Sequence, residues 1–228
     1  EVTATPTTPF SSVGQIDVVL SVFSFIVTDT SSPQSSLFSL TNQGSLTLED
    51  VSITPSTPYS LAFSASLFAL TAGSLTLTNV SLSGFKMDNC PVFDQSKGAT
   101  IAATNATVKD TKRVTGNGCV FEKMMGASEG FGVNGMRFDN CSCLSGNGGA
   151  VWVKVPSAGI LRIGNESEVE FKGCSASGYG GGLFIYFEDN AKDFLIGDCV
   201  SFDGCSATGG SNLMIDARNF TNNTITYK

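Results

Sequence analysis

Apolar and polar residues alternate along this chain in short runs, and the runs recur. "GSLTLEDVSI" from Gly44 returns as "GSLTLTNVSL" from Gly73, 29 residues later. Written as positions, the unit is apolar, any, apolar, any, Asn/Asp/Gly, small or apolar, Ser/Thr, apolar or small. It occurs six times, starting at Leu46, Leu75, Ile101, Met136, Val169 and Val200, with steps of 29, 26, 35, 33 and 31 residues. Apolar residues at the first and third positions are the period of a strand with one buried face. The fifth position is Asp50, Asn79, Asn105, Asn140, Gly173 or Gly204. These types tolerate the left-handed backbone region that breaks an alternation and bends the strand. Each copy therefore reads as a strand, a one-residue corner and a second short strand.

Each copy is followed by a turn and a further apolar run, such as "VWV" at Val151, "LFIYF" at Leu183 and "LMI" at Leu213. The glycine pairs Gly148-Gly149, Gly181-Gly182 and Gly209-Gly210 precede these three runs. A unit of about 30 residues without a long helical pattern cannot bury its apolar side alone, whereas stacked units can. The expected fold is all-β: a right-handed parallel β-helix of at least six rungs over residues 16–228. Residues 1–15 open with "EVTATPTTP" and read as a Thr/Pro-rich extended arm. The 35-residue step is the longest and predicts an inserted surface loop around 109–130. Lys109, Lys112, Arg113 and Lys123 lie there as a candidate binding loop, and "VFEKMM" is the nearest approach to a helical turn.

The motif "GGAV" at Gly148–Val151, preceded by Phe138, resembles the repeats of chlamydial polymorphic outer membrane proteins and their protist relatives. Those repeats pair Gly-Gly-Ala-aliphatic with Phe-x-x-Asn. The likeness covers roughly 132–217. Cys141, Cys174 and Cys205 stand where the family has asparagine, and only one copy carries the full glycine motif. The resemblance implies a right-handed β-helix of the pectin-lyase-like type acting in surface adhesion, without catalytic residues.

Composition narrows the chemistry. Lys+Arg is 13 against Asp+Glu 20, a net charge of −7, which disfavours a phosphate-binding surface and so a nucleic-acid partner. With no histidine, Ser-His-Asp and Cys-His catalysis and His-ligated zinc are excluded. No cofactor or metal is expected. The longest apolar stretch, Val18–Val27, is too short to span a bilayer. The chain begins at Glu1 and reads as a mature product or a fragment. "GFGVNG" at Gly130–Gly135 matches G-x-G-x-x-G, but a strand and not a helix follows it.

Of the seven cysteines, Cys141, Cys174 and Cys205 share the sixth position. They stack as a ladder of small core residues or pair from rung to rung in a disulfide. Six N-x-S/T sequons occur, at Asn79, Asn105, Asn140, Asn165, Asn219 and Asn222. The first three follow from the corner pattern and could form an amide ladder. Asn165, in "IGNESE", is independent of it and is the best glycan acceptor.

These features point to a non-enzymatic extracellular protein, secreted or at a cell surface. It would meet a protein or glycan in adhesion, or build a surface layer or filament as a homo-oligomer or as part of a longer β-helix. The last expectation rests on Ile225-x-Tyr227, which resembles the start of a seventh copy. The alternative is a polysaccharide lyase or glycosidase on the same scaffold. None of the four arginines, Arg113, Arg137, Arg162 and Arg218, sits beside an acidic cluster at matching rung positions, although Glu166, Glu168 and Glu170 lie near Arg162. Ice binding is rejected. It needs a regular outward Thr array, and the second position reads Thr47, Thr76, Ala102, Arg137, Glu170, Ser201.

Overall fold

The computed structural model describes residues 2–4, 10–12, 17–28, 35–41, 43–60, 62–96, 98–188 and 193–217. Every sheet is parallel, no described residue is helical, and the strands stack as a β-solenoid of about six turns. A full turn has four strands. The turn that opens at Ser45 shows the plan: a leading strand Ser45–Glu49, a side strand Ser52–Pro55, a short strand Ala62–Phe63 and a closing strand Phe68–Leu70. Stacking these makes the leading, side, short and closing faces. The side and closing faces hold eight strands each and the short face five. The leading face divides into a four-stranded and a three-stranded sheet. Val2–Ala4 joins the side face by pairing with Ser24–Val27, and Phe10–Ser12 joins the closing face by pairing with Phe38–Leu40.

The alternation in the sequence becomes an inside and an outside. In Val151–Val155 the three valines are buried and Trp152 and Lys154 face out. Because pairing is parallel and in register, like positions meet like. Leu46, Leu75 and Ile101 stack on the leading face, as do Leu48, Leu77 and Ala103. Phe38, Phe68, Phe93 and Phe121 form one ring column inside the closing face, with centroids 5.0, 4.9 and 5.0 Å apart. Phe138, Phe171 and Phe202 form another inside the side face, at 4.9 and 4.9 Å. Offset stacking of this kind adds about 0.5–1.5 kcal/mol per pair beyond burial.

The six-copy pattern proves to merge two different corners. Asp50, Asn79 and Asn105 turn a leading strand into a side strand, whereas Asn140 and Gly173 turn a side strand into a short strand and Gly204 ends the side strand Val200–Asp203. Met136 therefore pairs with Ala106, not with Ile101. The correct step is 30 residues, as between Asp110 and Asn140, and the apparent 35-residue insertion is a change of phase. The physical reason is that both corners impose one demand: an apolar alternation, one residue with positive φ, then another inward side chain. All six corner residues have φ between 52° and 62°. The expected surface loop at 109–130 is thus corrected to a regular turn with strands Lys112–Arg113 and Phe121–Met124, so "VFEKMM" begins a strand.

The glycine pairs shift in the same way. Gly148, Gly180 and Gly210 occupy one register position, so the partner of Gly148-Gly149 is Gly180-Gly181. Each of the three has positive φ. A Cβ added to them would come within 3.1, 3.0 and 3.0 Å of the Cβ of Trp152, Phe184 and Met214 respectively. These turns lie directly against the outer side of the closing strands.

Phe138 is fully buried between two ring neighbours. Phe138→Ala is expected to destabilise the fold by about 3–5 kcal/mol, while Lys172→Ala on the exposed side of the paired strand stays within about 0.5 kcal/mol. Urea denaturation of the two variants checks this. Equal midpoints would contradict the assignment of inside and outside.

Candidate functional site

Two asparagine ladders run along the corners. At the leading corner Asn79 Nδ2 donates to Asp50 Oδ1 and Asn105 Nδ2 donates to Asn79 Oδ1, both at 2.9 Å. At the next corner Asn140 Nδ2 donates to Asp110 Oδ1 at 2.8 Å. Each ladder ends on an aspartate, which can only accept. The three sequon asparagines in these ladders thus already use the nitrogen a glycan would occupy. Asn165 is different: it is exposed in a corner loop spanning 164–168, and its side chain makes no hydrogen bond among the described residues. Asn219 and Asn222 lie outside the described residues, as do Arg218 and the Ile225–Tyr227 segment.

The four cations of the expected binding loop do not converge. Lys109 is exposed at the end of a side strand. Lys112 sits on the short face with Nζ 4.5 Å from the Tyr59 ring centroid. Arg113 and Lys123 are buried, 2% and 4% exposed. Arg113 meets Glu122 at 2.6 Å and donates to the carbonyls of Thr115, Asn117, Gly118 and Asn89. Its guanidinium fills the space a side chain at Gly116 would need, 2.2 Å from the added Cβ. Lys123 takes an inward position on a closing strand, pairs with Glu129 at 2.7 Å and donates to the Gln95 carbonyl at 2.8 Å. Burial demands such partners, so these two residues hold turns together and do not present charge. Arg162, expected near Glu166, Glu168 and Glu170, pairs instead with Asp193 on the next turn, and Glu170 pairs with Arg137 at 2.9 Å.

The cysteines are all unpaired thiols. Cys141, Cys174 and Cys205 stack at the core, and their Sγ atoms donate to the carbonyls of Val108, Phe138 and Phe171 on the preceding turns at 3.3, 3.4 and 3.4 Å. Burial raises the Cys141 thiol. For Cys174 and Cys205 the hydrogen bond with the preceding ladder sulfur is the first cause of a rise, and burial adds to it. Burial also pushes Cys90 and Cys143 up to about 11. A thiol that ionises with such difficulty is a poor nucleophile, so Cys141 and Cys143 serve packing.

A row of large side chains lies elsewhere, along the outer side of the closing face. Pairing sets Glu122, Trp152, Phe184 and Met214 in one row, and Asp94, which follows the Phe93 that pairs with Phe121, lines a hollow with Glu122. A second row reads Met124, Lys154, Tyr186 and Asp216. The glycine turns rise beside the first row as a ridge. There Asn117 Oδ1 accepts from Asn147 N, and Asn147 Oδ1 accepts from Tyr179 N, both at 2.9 Å. Two hollows open between ridge and rows. One of about 620 Å³ lies at Asp94, Glu122 and Met124, and one of about 700 Å³ at Asn147, Tyr179, Phe184 and Met214. Trp152 stands between them in the row. Sequence reasoning passed over this groove. The signal was present, since the middle residue of "VWV" and the second and fourth of "LFIYF" fall on the outward phase, yet carry large aromatic rings.

The fold is a parallel β-solenoid whose closing face carries this groove. No family model matches the chain, and no curated protein or solved structure matches it significantly. The likeness to polymorphic outer membrane proteins thus rests on Gly148–Val151 and Phe138 alone, and the solenoid class is what the structure shows. No described helix is long and apolar enough to cross a membrane.

Two predictions follow from the buried groups. Lys123→Ala leaves Glu129 buried without its cation and should destabilise by about 3–5 kcal/mol, whereas Lys109→Ala should leave the melting curve in place. Thermal unfolding of both variants compares them directly. Raised thiol pKa values predict the second. At pH 8 a thiol near 11 is about one part in a thousand thiolate, so iodoacetamide should label Cys90 and Cys143 far more slowly than Cys199, which is exposed. Peptide mapping after short exposure reads the rates. Fast labelling of Cys141 or Cys174 in the native protein would overturn the core assignment.

Proposed function

We propose that this chain is a non-enzymatic adhesion module, secreted or displayed at a cell surface, where it engages a protein or glycan. The groove along the closing face carries this reading. Its large outward side chains stand on strands paired on both sides, so the recognition surface is preorganised and loses little entropy on contact. The sequon at Asn165, exposed in its corner loop, fits passage through a secretory route and makes Asn165 a glycan acceptor. Asn219 and Asn222 extend that proposal. A structural role in a layer or filament, by stacking of copies along the axis, uses the same scaffold, and a head-to-tail contact of that kind leads to open assembly.

The polysaccharide lyase or glycosidase reading has one observation in its favour: Asp94 and Glu122 line the same hollow, and glycoside hydrolysis employs two carboxylates. Glu122, however, is anchored by Arg113 at 2.6 Å. That contact commits Glu122 to the buried guanidinium, as a staple of its own turn, which disfavours a role on a substrate.

Fluorescently labelled protein incubated with intact bacterial and animal cells tests the proposal, with reducing ends assayed in the supernatant. Saturable binding without new reducing ends is the expected result. Release of reducing ends would establish the enzyme, and an absence of binding to every cell type would remove the adhesion reading. Sedimentation velocity across a hundredfold concentration range tests assembly: growing species support stacking, and a constant monomer excludes it.

A further inference from the structure

We infer that the closing-face groove binds an uncharged linear oligosaccharide lying parallel to the solenoid axis, with Trp152 and Tyr179 as its stacking residues and Asn147 as a hydrogen-bond donor. This rests on the adhesion reading and names the ligand of that surface.

The groove is linear because the solenoid is. The row from Glu122 to Met214 crosses four consecutive closing strands in register. Neighbouring strands are about 4.8 Å apart, close to the advance of one pyranose unit along an extended chain. Successive sugars can therefore meet successive turns without losing phase, which a ligand of another repeat cannot do. The side chains have the matching chemistry. Tyr179 is 47% exposed on the ridge, and Trp152 and Tyr186 are half-buried on the outward rows. Amphipathic rings of this kind offer apolar faces and polar tips. Asn147 spends its Oδ1 on Tyr179 N, while its Nδ2 makes no hydrogen bond among the described residues and borders the hollow at Tyr179. Asp94, an exposed acceptor in the hollow with Glu122, suits a hydroxyl.

Charge decides against other ligands. Asp94 is exposed, Glu122 is already neutralised by Arg113, and the lysine of the second row, Lys154, is paired with Glu188 at 2.9 Å. An anionic polymer would meet an exposed carboxylate in this groove, with Lys154 already engaged. An extended peptide adds to a sheet through a free edge, but the closing strands from Phe38 to Phe187 are paired on both sides, so their backbone offers nothing to a peptide on this face.

Isothermal titration of the intact protein with cellohexaose, mannohexaose and N-acetylchitohexaose, with hexagalacturonate as the anionic comparison, tests the inference. At least one neutral hexaose should bind and hexagalacturonate should not. Affinity for that sugar should rise from the dimer to the hexamer. Trp152→Ala and Tyr179→Ala should each weaken it tenfold or more, and Asn147→Asp at least threefold. Tyr179 is exposed, so Tyr179→Ala should keep the melting temperature and remains informative where Trp152→Ala loses the fold. No binding of any neutral hexaose, preference for hexagalacturonate, or unchanged affinity in Tyr179→Ala and Asn147→Asp would each overturn the inference. Cell adhesion that survives both Tyr179→Ala and enzymatic removal of surface glycans would assign a protein partner, leaving the adhesion reading intact and this inference refuted. Hexaose binding without cell adhesion would do the reverse.

Discussion

No single turn of this chain can bury its own apolar side, and every other feature of the structure follows from that constraint. A turn offers a few inward residues from strands of two to five residues, far too little to exclude water alone. The turn above and the turn below supply the missing surface. Parallel pairing then satisfies the backbone and places residues of like position over one another. Selection for burial thus becomes selection for repetition, because a side chain that fits one turn must fit against its copy on the next.

Repetition explains which residue types recur. Phenylalanine can stack on itself, and the columns at Phe38–Phe121 and Phe138–Phe202 use that property. Asparagine carries both a donor and an acceptor, so it can hand a hydrogen bond along a ladder. Aspartate can only close one, as Asp50 and Asp110 do. Small thiols stack where the side strand meets the short strand. The exceptions are also informative. Where inward positions are filled by Arg113 and Lys123, nearby Glu122 and Glu129 neutralise them, so the ion pairs act as internal staples between chain segments.

Much of the fold was legible from spacing alone. Strand alternation, the corner residues and the inward thiols all follow from two rules, period-two burial and tolerance of positive φ. The register across Asn105 and Asn140 was not legible, because two corners with the same local demand are written in the same residues. Only pairing between distant strands separates Ala106–Met136 from the alternative Ile101–Met136. That error also disguised Arg113 and Lys123, since a cation in an apparent insertion looks solvated while the same cation at an inward strand position must be buried. The groove escaped notice for another reason. Trp152, Phe184 and Met214 come from three separate turns and share no motif, and only stacking aligns them beside the ridge that holds Asn147 and Tyr179.

The proposed binding role needs the groove residues held in line across successive turns. That account depends on the register from turn to turn, which a pair of engineered disulfides measures directly. Thr107 and Arg137 are outward neighbours on paired side strands, and adjacent strands lie within the Cα range of a disulfide. Ala102 and Arg137, matched by sequence pattern alone, lie on different faces. Mild oxidation followed by peptide mapping should find Thr107→Cys linked to Arg137→Cys within one chain, and no link between Ala102→Cys and Arg137→Cys. The opposite result would contradict the 30-residue register, and with it the alignment of the groove.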